Sequence, residues 1–185
     1  THAWHMTEYV TGLKVLEINA ELNTFVPGRM IDDDATAMMR MENGVKALLS
    51  ATQIANGERN GINVRVYGEK GGFRWFQEDP NKLYKIRNGH PEEIFHIGSN
   101  HPYLGNMAQW NIRTPGGHPE GLIEAFANIY RNFTLTVLAH KNGETPTPEI
   151  VDFPNVVDGL RGMQFIETMI ASGWQDEEKW TKWVE

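Results

Sequence analysis

From residue 14 to residue 97 the chain runs in short segments that alternate apolar and polar residues, broken repeatedly by turn formers and never by a helical stretch. This pattern constrains the fold more than any other feature. Leu16, Ile18, Ala20 and Leu22 alternate with Glu17, Asn19, Glu21 and Asn23, as in a strand with one wet face. Pro27-Gly28 ends that strand, expected over residues 14–26. Residues 35–41, the hairpin signal Glu42-Asn43-Gly44 and residues 45–55 form the next pair. Further strands are expected over 62–67, 73–76, 82–86 and 93–97, with Gly68-Glu69-Lys70-Gly71-Gly72 turning the first into the second. Strands joined by turns rather than by helices pair antiparallel.

Helices flank this run. An opening helix carries Ala3, Met6, Tyr9, Val10 and Leu13 on one stripe, and Gly12 weakens its last turn. Leu122, Ile123, Phe126, Ile129, Tyr130, Phe133 and Val137 mark a long amphipathic helix that Asn142-Gly143 ends. Thr145-Pro146-Thr147-Pro148 is an extended connector. A last helix follows Pro154, with Val156, Leu160, Met163, Ile166 and Ile170 inward and Ser172-Gly173 interrupting it. The tail tryptophans Trp174, Trp180 and Trp183 are expected to pack its last turn down. Segregated strands and helices predict an α+β fold: a large, mainly antiparallel β-sheet with helices on one face. The other face stays open, a candidate surface for oligomerisation. A length of 185 residues suits a single domain, 1–185.

Composition removes several classes of function. A net charge of -7, a pI near 5.5 and the absence of a basic run argue against a nucleic-acid partner. The chain has no cysteine, which excludes disulfides, thiolate metal sites and cysteine nucleophiles and fits the cytoplasm. No apolar run approaches the roughly 18–20 residues of a membrane span. Asp32-Asp33-Asp34 lacks the Gly and distal Glu of a calcium loop and reads as a solvated turn. Asn132-Phe133-Thr134 reads as part of the long helix rather than as a glycosylation acceptor. Trp75 and Phe76 are adjacent on a strand, which puts one in the core and the other toward a partner.

Residues 98–117 have no period, and a long irregular stretch in a compact domain is often functional. His101, Tyr103, Asn106, Trp110, Asn111 and Arg113 lie there. Aromatic faces stack on the C–H surfaces of sugars, and amides and guanidinium groups bind hydroxyls in fixed directions. His118 precedes Pro119, which suits a first helical position, and Glu120, which favours the positive end of the helix dipole. His118 is therefore either a loop or capping residue or a substrate contact. Near the start, His2 and His5 are three residues apart and can share a helix face. Zinc wants three or four protein ligands, and no third is evident. No metal is expected, and His5 reads as packed under a substrate pocket.

Five stretches, in order, carry a family resemblance: Thr1-His2 with its helix and following Gly; Asp33-Asp34-Ala35 entering a hairpin that turns at Met41-Glu42-Asn43-Gly44; Val64-Arg65-Val66-Tyr67-Gly68-Glu69-Lys70-Gly71-Gly72-Phe73; His118-Pro119-Glu120-Gly121 with Glu124-Ala125-Phe126; and Phe153-Pro154 with Asp158-Gly159-Leu160. Together they resemble the C-terminal domain of the Gfo/Idh/MocA family, which includes glucose–fructose oxidoreductase and inositol dehydrogenase. The resemblance implies a two-domain oxidoreductase that moves a hydride between a sugar or polyol CH–OH and a nicotinamide. A Rossmann domain would bind NAD or NADP, and the present domain would cover the substrate. That Rossmann domain is expected to lie outside this chain, because no strand leads through Gly-x-Gly-x-x-Gly into a helix. The family's Glu-Lys-Pro motif is missing as well. His2 matches the His of the family's Asp-x-Gly-Ser/Thr-His motif, so the resemblance makes it the catalytic acid/base, with the motif's Asp expected four residues earlier. The substrate-binding set is then His5, Tyr103, Trp110, Arg113 and His118.

The chain opens within helix-forming residues and without Met. It is therefore expected to be the substrate-binding and oligomerisation piece of a longer protein, inactive alone. Its expected partners are a small sugar or polyol, its own Rossmann domain and further copies of itself. The alternative is a non-catalytic carbohydrate-binding or assembly domain with the same fold.

Overall fold

A computed structural model describes residues 1–175. The element order is α1 (His2–Thr11), β1 (Val15–Asn23), β2 (Asp34–Met41), β3 (Lys46–Thr52), β4 (Asn63–Gly68), β5 (Gly71–Phe76), β6 (Lys82–Ile86) and β7 (Glu93–His96). Then come α2 (Asn106–Asn111), α3 (Leu122–Lys141) and α4 (Val156–Gly173). This is an α+β fold, and every strand pairing is antiparallel. The strands divide into a three-stranded sheet, β1-β2-β3, and a four-stranded sheet, β4-β5-β6-β7. The described residues likewise divide into two compact units, one of Thr1–Arg59 with 155–175, the other of Asn60–Pro154.

In the first unit the register places Ala20, Ala37 and Leu49 in one row and Ile18, Met39 and Ala47 in the next. These rows face a core closed by Trp4, Phe165 and Met169. Trp4 stacks on Phe165 with ring centroids 5.4 Å apart. The hairpin signal is realised: Asn43 and Gly44 both take positive φ, at 58° and 72°, between β2 and β3. On the opposite sheet face Met38 and Leu48 lie side by side and exposed, next to the Arg40–Glu17 ion pair.

The helices of this unit correct two expectations. In α1 the covered residues are Trp4 and Glu8, while Tyr9 and Val10 of the expected stripe are exposed. The reason is electrostatic. The Glu8 carboxylate is drawn inside by Arg161 (2.5 Å), Lys14 (3.1 Å) and the Val15 N–H (2.8 Å). Burial raises its pKa, but these donors together hold it below the ordinary glutamate value. The helix ends at Gly12, whose left-handed φ of 68° lets its N–H reach the Glu8 carbonyl.

In α4, Phe165 and Met169 point inward, whereas Val156, Leu160, Met163 and Ile170 are exposed; of the expected stripe only Ile166 packs on the core. Asn155 and Asp158 form a reciprocal capping box that starts this helix. Ser172-Gly173 does not interrupt it but seats its end on β1. The Ser172 hydroxyl accepts from the Ala20 N–H (3.0 Å), and a β-carbon at Gly173 would collide with the Leu22 side chain. Trp174 is exposed, so it does not pack the last turn down; Trp180 and Trp183 lie outside the described residues.

In the acidic run Asp32 is exposed, but Asp33 is not a solvated turn residue. Asp33 is 3% exposed. Its carboxylate accepts from the N–H groups of Phe25 (2.8 Å) and Val26 (3.0 Å) and pairs with Arg29 (3.2 Å). These hydrogen bonds, the one from Phe25 foremost, hold its pKa below the ordinary aspartate value.

In the second unit β4–β7 form a simple meander. Trp75 and Phe76 are both half-buried: the Trp75 indole N–H donates to the Pro80 carbonyl (3.1 Å), and Phe76 meets Tyr84 edge-on. No helix among the described residues is long and apolar enough to cross a membrane.

Candidate functional site

The long helix α3 turns the expected arrangement over. Its apolar residues Phe126, Ile129, Tyr130, Phe133 and Val137 are exposed, and its covered residues include Asn128 and Asn132. Asn132 is 1% exposed. A buried amide is costly unless its hydrogen bonds are made, and here the preceding loop makes them. That loop is not structureless, because α2 forms within it.

Asn132 Oδ1 accepts from the Trp110 indole N–H (2.9 Å), and its amide donates to Asn111 Oδ1 (3.1 Å). One turn earlier, Asn128 Oδ1 accepts from Arg113 Nε (2.9 Å) and Nη2 (2.6 Å), and its amide donates to the Asn111 carbonyl. Asn111 in turn donates to Asp152 Oδ2 (3.2 Å). The Arg131 guanidinium lies over the Trp110 ring, 4.2 Å from its centroid. Trp110, Asn111 and Arg113 are thus held on one side of α3.

The far end of the loop is fixed by Glu120. Its Oε1 accepts from the Arg113 N–H (2.6 Å), the Thr114 N–H and the Thr114 hydroxyl (2.9 Å). Asn81, just before β6, brackets the Glu120 backbone with two hydrogen bonds of 2.8 and 2.9 Å. Burial is the main cause holding the Arg113 pKa below its ordinary value; repulsion from Arg131 adds to it, and Glu120 opposes it.

A second group sits against β7. Tyr103 donates to the His96 carbonyl (2.8 Å), stacks on His101 (5.1 Å) and meets Phe95 edge-on (5.5 Å). His101 fits against Gly98 and Gly116, where a β-carbon on Gly116 would stand 2.8 Å from its Nε2. Asn106, the first residue of α2, is exposed.

His118 is exposed in a turn. Its N–H donates to the Pro115 carbonyl (3.2 Å), and its own carbonyl accepts from the Thr114 hydroxyl (2.9 Å). Pro119 is not the first helical residue, because α3 starts at Leu122 behind Gly121. Glu124 accepts from the Gly121 N–H (2.8 Å), which holds its carboxyl below the ordinary value.

His2 and His5 belong to the first unit, while Tyr103, Trp110, Arg113 and His118 belong to the second. His2 is the exposed first residue of α1, and the half-buried His5 has its ring beside Trp4, centroids 5.9 Å apart. Among the described residues no three His, Asp or Glu side chains gather as a metal site requires. The Gly68–Gly72 turn joins antiparallel β4 to β5. It therefore does not fit a dinucleotide, which needs a strand-to-helix turn.

The sequence gives no evident site role to Asn81, Glu120, Asn128, Arg131 and Asn132. The signal for two of them was present: Asn at i and i+4 inside a strongly apolar helix is unfavourable unless something bonds it.

Residues 1–74 match the GFO/IDH/MocA C-terminal domain. An oxidoreductase from Sinorhizobium meliloti is 36% identical and superposes with a TM-score of 0.85, covering 93% of this chain and 48% of that one. The stretch 1–74 of the chain is therefore similar to a Gfo/Idh/MocA C-terminal domain. An inositol dehydrogenase homologue from Azotobacter vinelandii, in complex with NADH and myo-inositol, is 26% identical with a TM-score of 0.84, over 93% of this chain and 45% of that one. The Bacillus subtilis oxidoreductase YfiI is 28% identical over 187 residues, all of this chain and 46% of that protein. The chain thus spans about half the length of the relatives it matches.

Proposed function

We propose that the chain is the substrate-binding half of an NAD(P)-dependent oxidoreductase acting on a sugar or polyol, in a cytoplasmic protein whose Rossmann domain precedes it. The observation that carries this reading is the loop held on α3, where Trp110, Asn111 and Arg113 are fixed by buried Asn128 and Asn132. An aromatic face beside oriented amides and a guanidinium suits a polyhydroxy compound. Support comes from the inositol dehydrogenase homologue, whose complex holds NADH and myo-inositol.

A bound NAD or NADP would supply the hydride chemistry; this chain supplies placement of the substrate and a proton acceptor. His2 is assigned to take the hydroxyl proton, as the position that matches the His of the family motif. The exposed Met38 and Leu48 support a homo-oligomer through the open sheet face, and the exposed apolar stripes of α3 and α4 support contact with further protein.

The test is an assay of the full-length protein against a panel of polyols and sugars with each cofactor. Substrate-dependent reduction of NAD or NADP is expected, with His2→Ala lowering kcat about 10²–10⁴-fold. Failure to reduce either cofactor with any member would favour a non-catalytic carbohydrate-binding domain.

A further inference from the structure

We propose that Arg113 and Arg131 together form an oxyanion subsite, so that the compound taken here is an acidic sugar derivative bearing a carboxylate or a phosphate. This rests on the reading that the loop on α3 holds the substrate. Arg29, Arg40, Arg74, Arg87 and Arg161 each pair with a carboxylate. Among the described residues, Arg113 and Arg131 have no carboxylate within ion-pair distance. Arg113 donates twice to Asn128 Oδ1, and Arg131 lies on Trp110 with Nη1 3.5 Å from Asn132 Oδ1.

Neutral amide oxygens fix the direction of a guanidinium without cancelling its charge. Asn128 and Asn132 are one helical turn apart, so their β-carbons are about 5–6 Å apart and the two cations are anchored as neighbours. Two carboxylates among the described residues bond the loop. Glu120 Oε1 is held by Arg113 N–H, Thr114 N–H and the Thr114 hydroxyl, and Asp152 Oδ2 accepts from Asn111. Two guanidinium groups without a carboxylate at ion-pair distance among the described residues, Arg113 feeling Glu120 from further off, lie beside an aromatic ring and match an oxyanion carried on a sugar.

The experiment is calorimetric titration of the full-length protein with D-glucuronate, D-galacturonate, D-glucose 6-phosphate, D-glucose, D-galactose and inorganic phosphate, at low and high salt. Arg113→Gln and Arg131→Gln are titrated in parallel, with thermal melts to establish folding. The expected result is that at least one acid binds about tenfold or more tightly than its neutral parent, less so at high salt, and that each substitution shrinks this ratio. A preference for the uronates or for the phosphate ester tells which oxyanion is taken.

Neutral sugars binding as well as the acids, no binding of any anion, or acid preference surviving both substitutions would overturn the subsite. Should both variants unfold, the wild-type protein decides: an acid affinity indifferent to salt also overturns it. Binding is read without turnover, so the two readings fail separately. An acid-selective protein that oxidises nothing sinks the dehydrogenase reading alone. Turnover of neutral polyols without acid preference sinks the subsite alone.

Discussion

At the scale of single residues, buried polar groups set the structure. Asp33 holds the β1–β2 loop through Phe25, Val26 and Arg29. Its depressed pKa means that it stabilises the fold above the unfolded aspartate value, about 3.9, and that this contribution is lost as pH falls through the lower folded value. Asp33→Asn should therefore lower Tm at neutral pH and flatten its fall in acid, as melts over a pH series will show. An equal Tm loss at every pH would contradict the linkage. Asn132→Ala should cost about 1–3 kcal/mol by orphaning Trp110 and Asn111, with a change in tryptophan emission. A denaturant titration measures it, and a change within error would show that the network contributes nothing.

At the scale of elements, α4 is registered on β1 by what Gly173 lacks. Gly173→Ala should destabilise by about 1–3 kcal/mol through overpacking against Leu22, and Leu22→Ala in the same chain should recover part of that loss; additive losses would exclude the contact. The strands were legible because alternation and turn residues are local: Asn43-Gly44 sets the β2–β3 hairpin, and each expected strand is found, β6 at its expected ends and the others with shifted ends. Helices α1, α3 and α4 were legible in place but not in facing, whereas α2 falls in the stretch read as without period. Periodicity locates an apolar stripe, yet it does not say which side is covered. Glu8, Asn128 and Asn132 take covered positions because partners distant in sequence, such as Arg161 and Trp110, satisfy them. The candidate site was legible for the same reason only in part. Trp110, Asn111 and Arg113 declare themselves by type, whereas Glu120 and Asn81 act through backbone contacts that no spacing reveals.

At the scale of the whole molecule, the proposed residues fall in two separate units. The first carries His2 on α1, and the second carries the loop on α3. The chain covers about half of its relatives, so its role is tested in the full-length protein. The direct measurement is a pair of titrations on full-length Asn132→Ala, one with the polyol or sugar that the wild-type protein oxidises and one with NAD(P)H. The account predicts that affinity for the polyol or sugar falls about tenfold, as loss of one oriented contact and its partner would give, while nicotinamide affinity holds. A loss of nicotinamide affinity with unchanged binding of the polyol or sugar would contradict it.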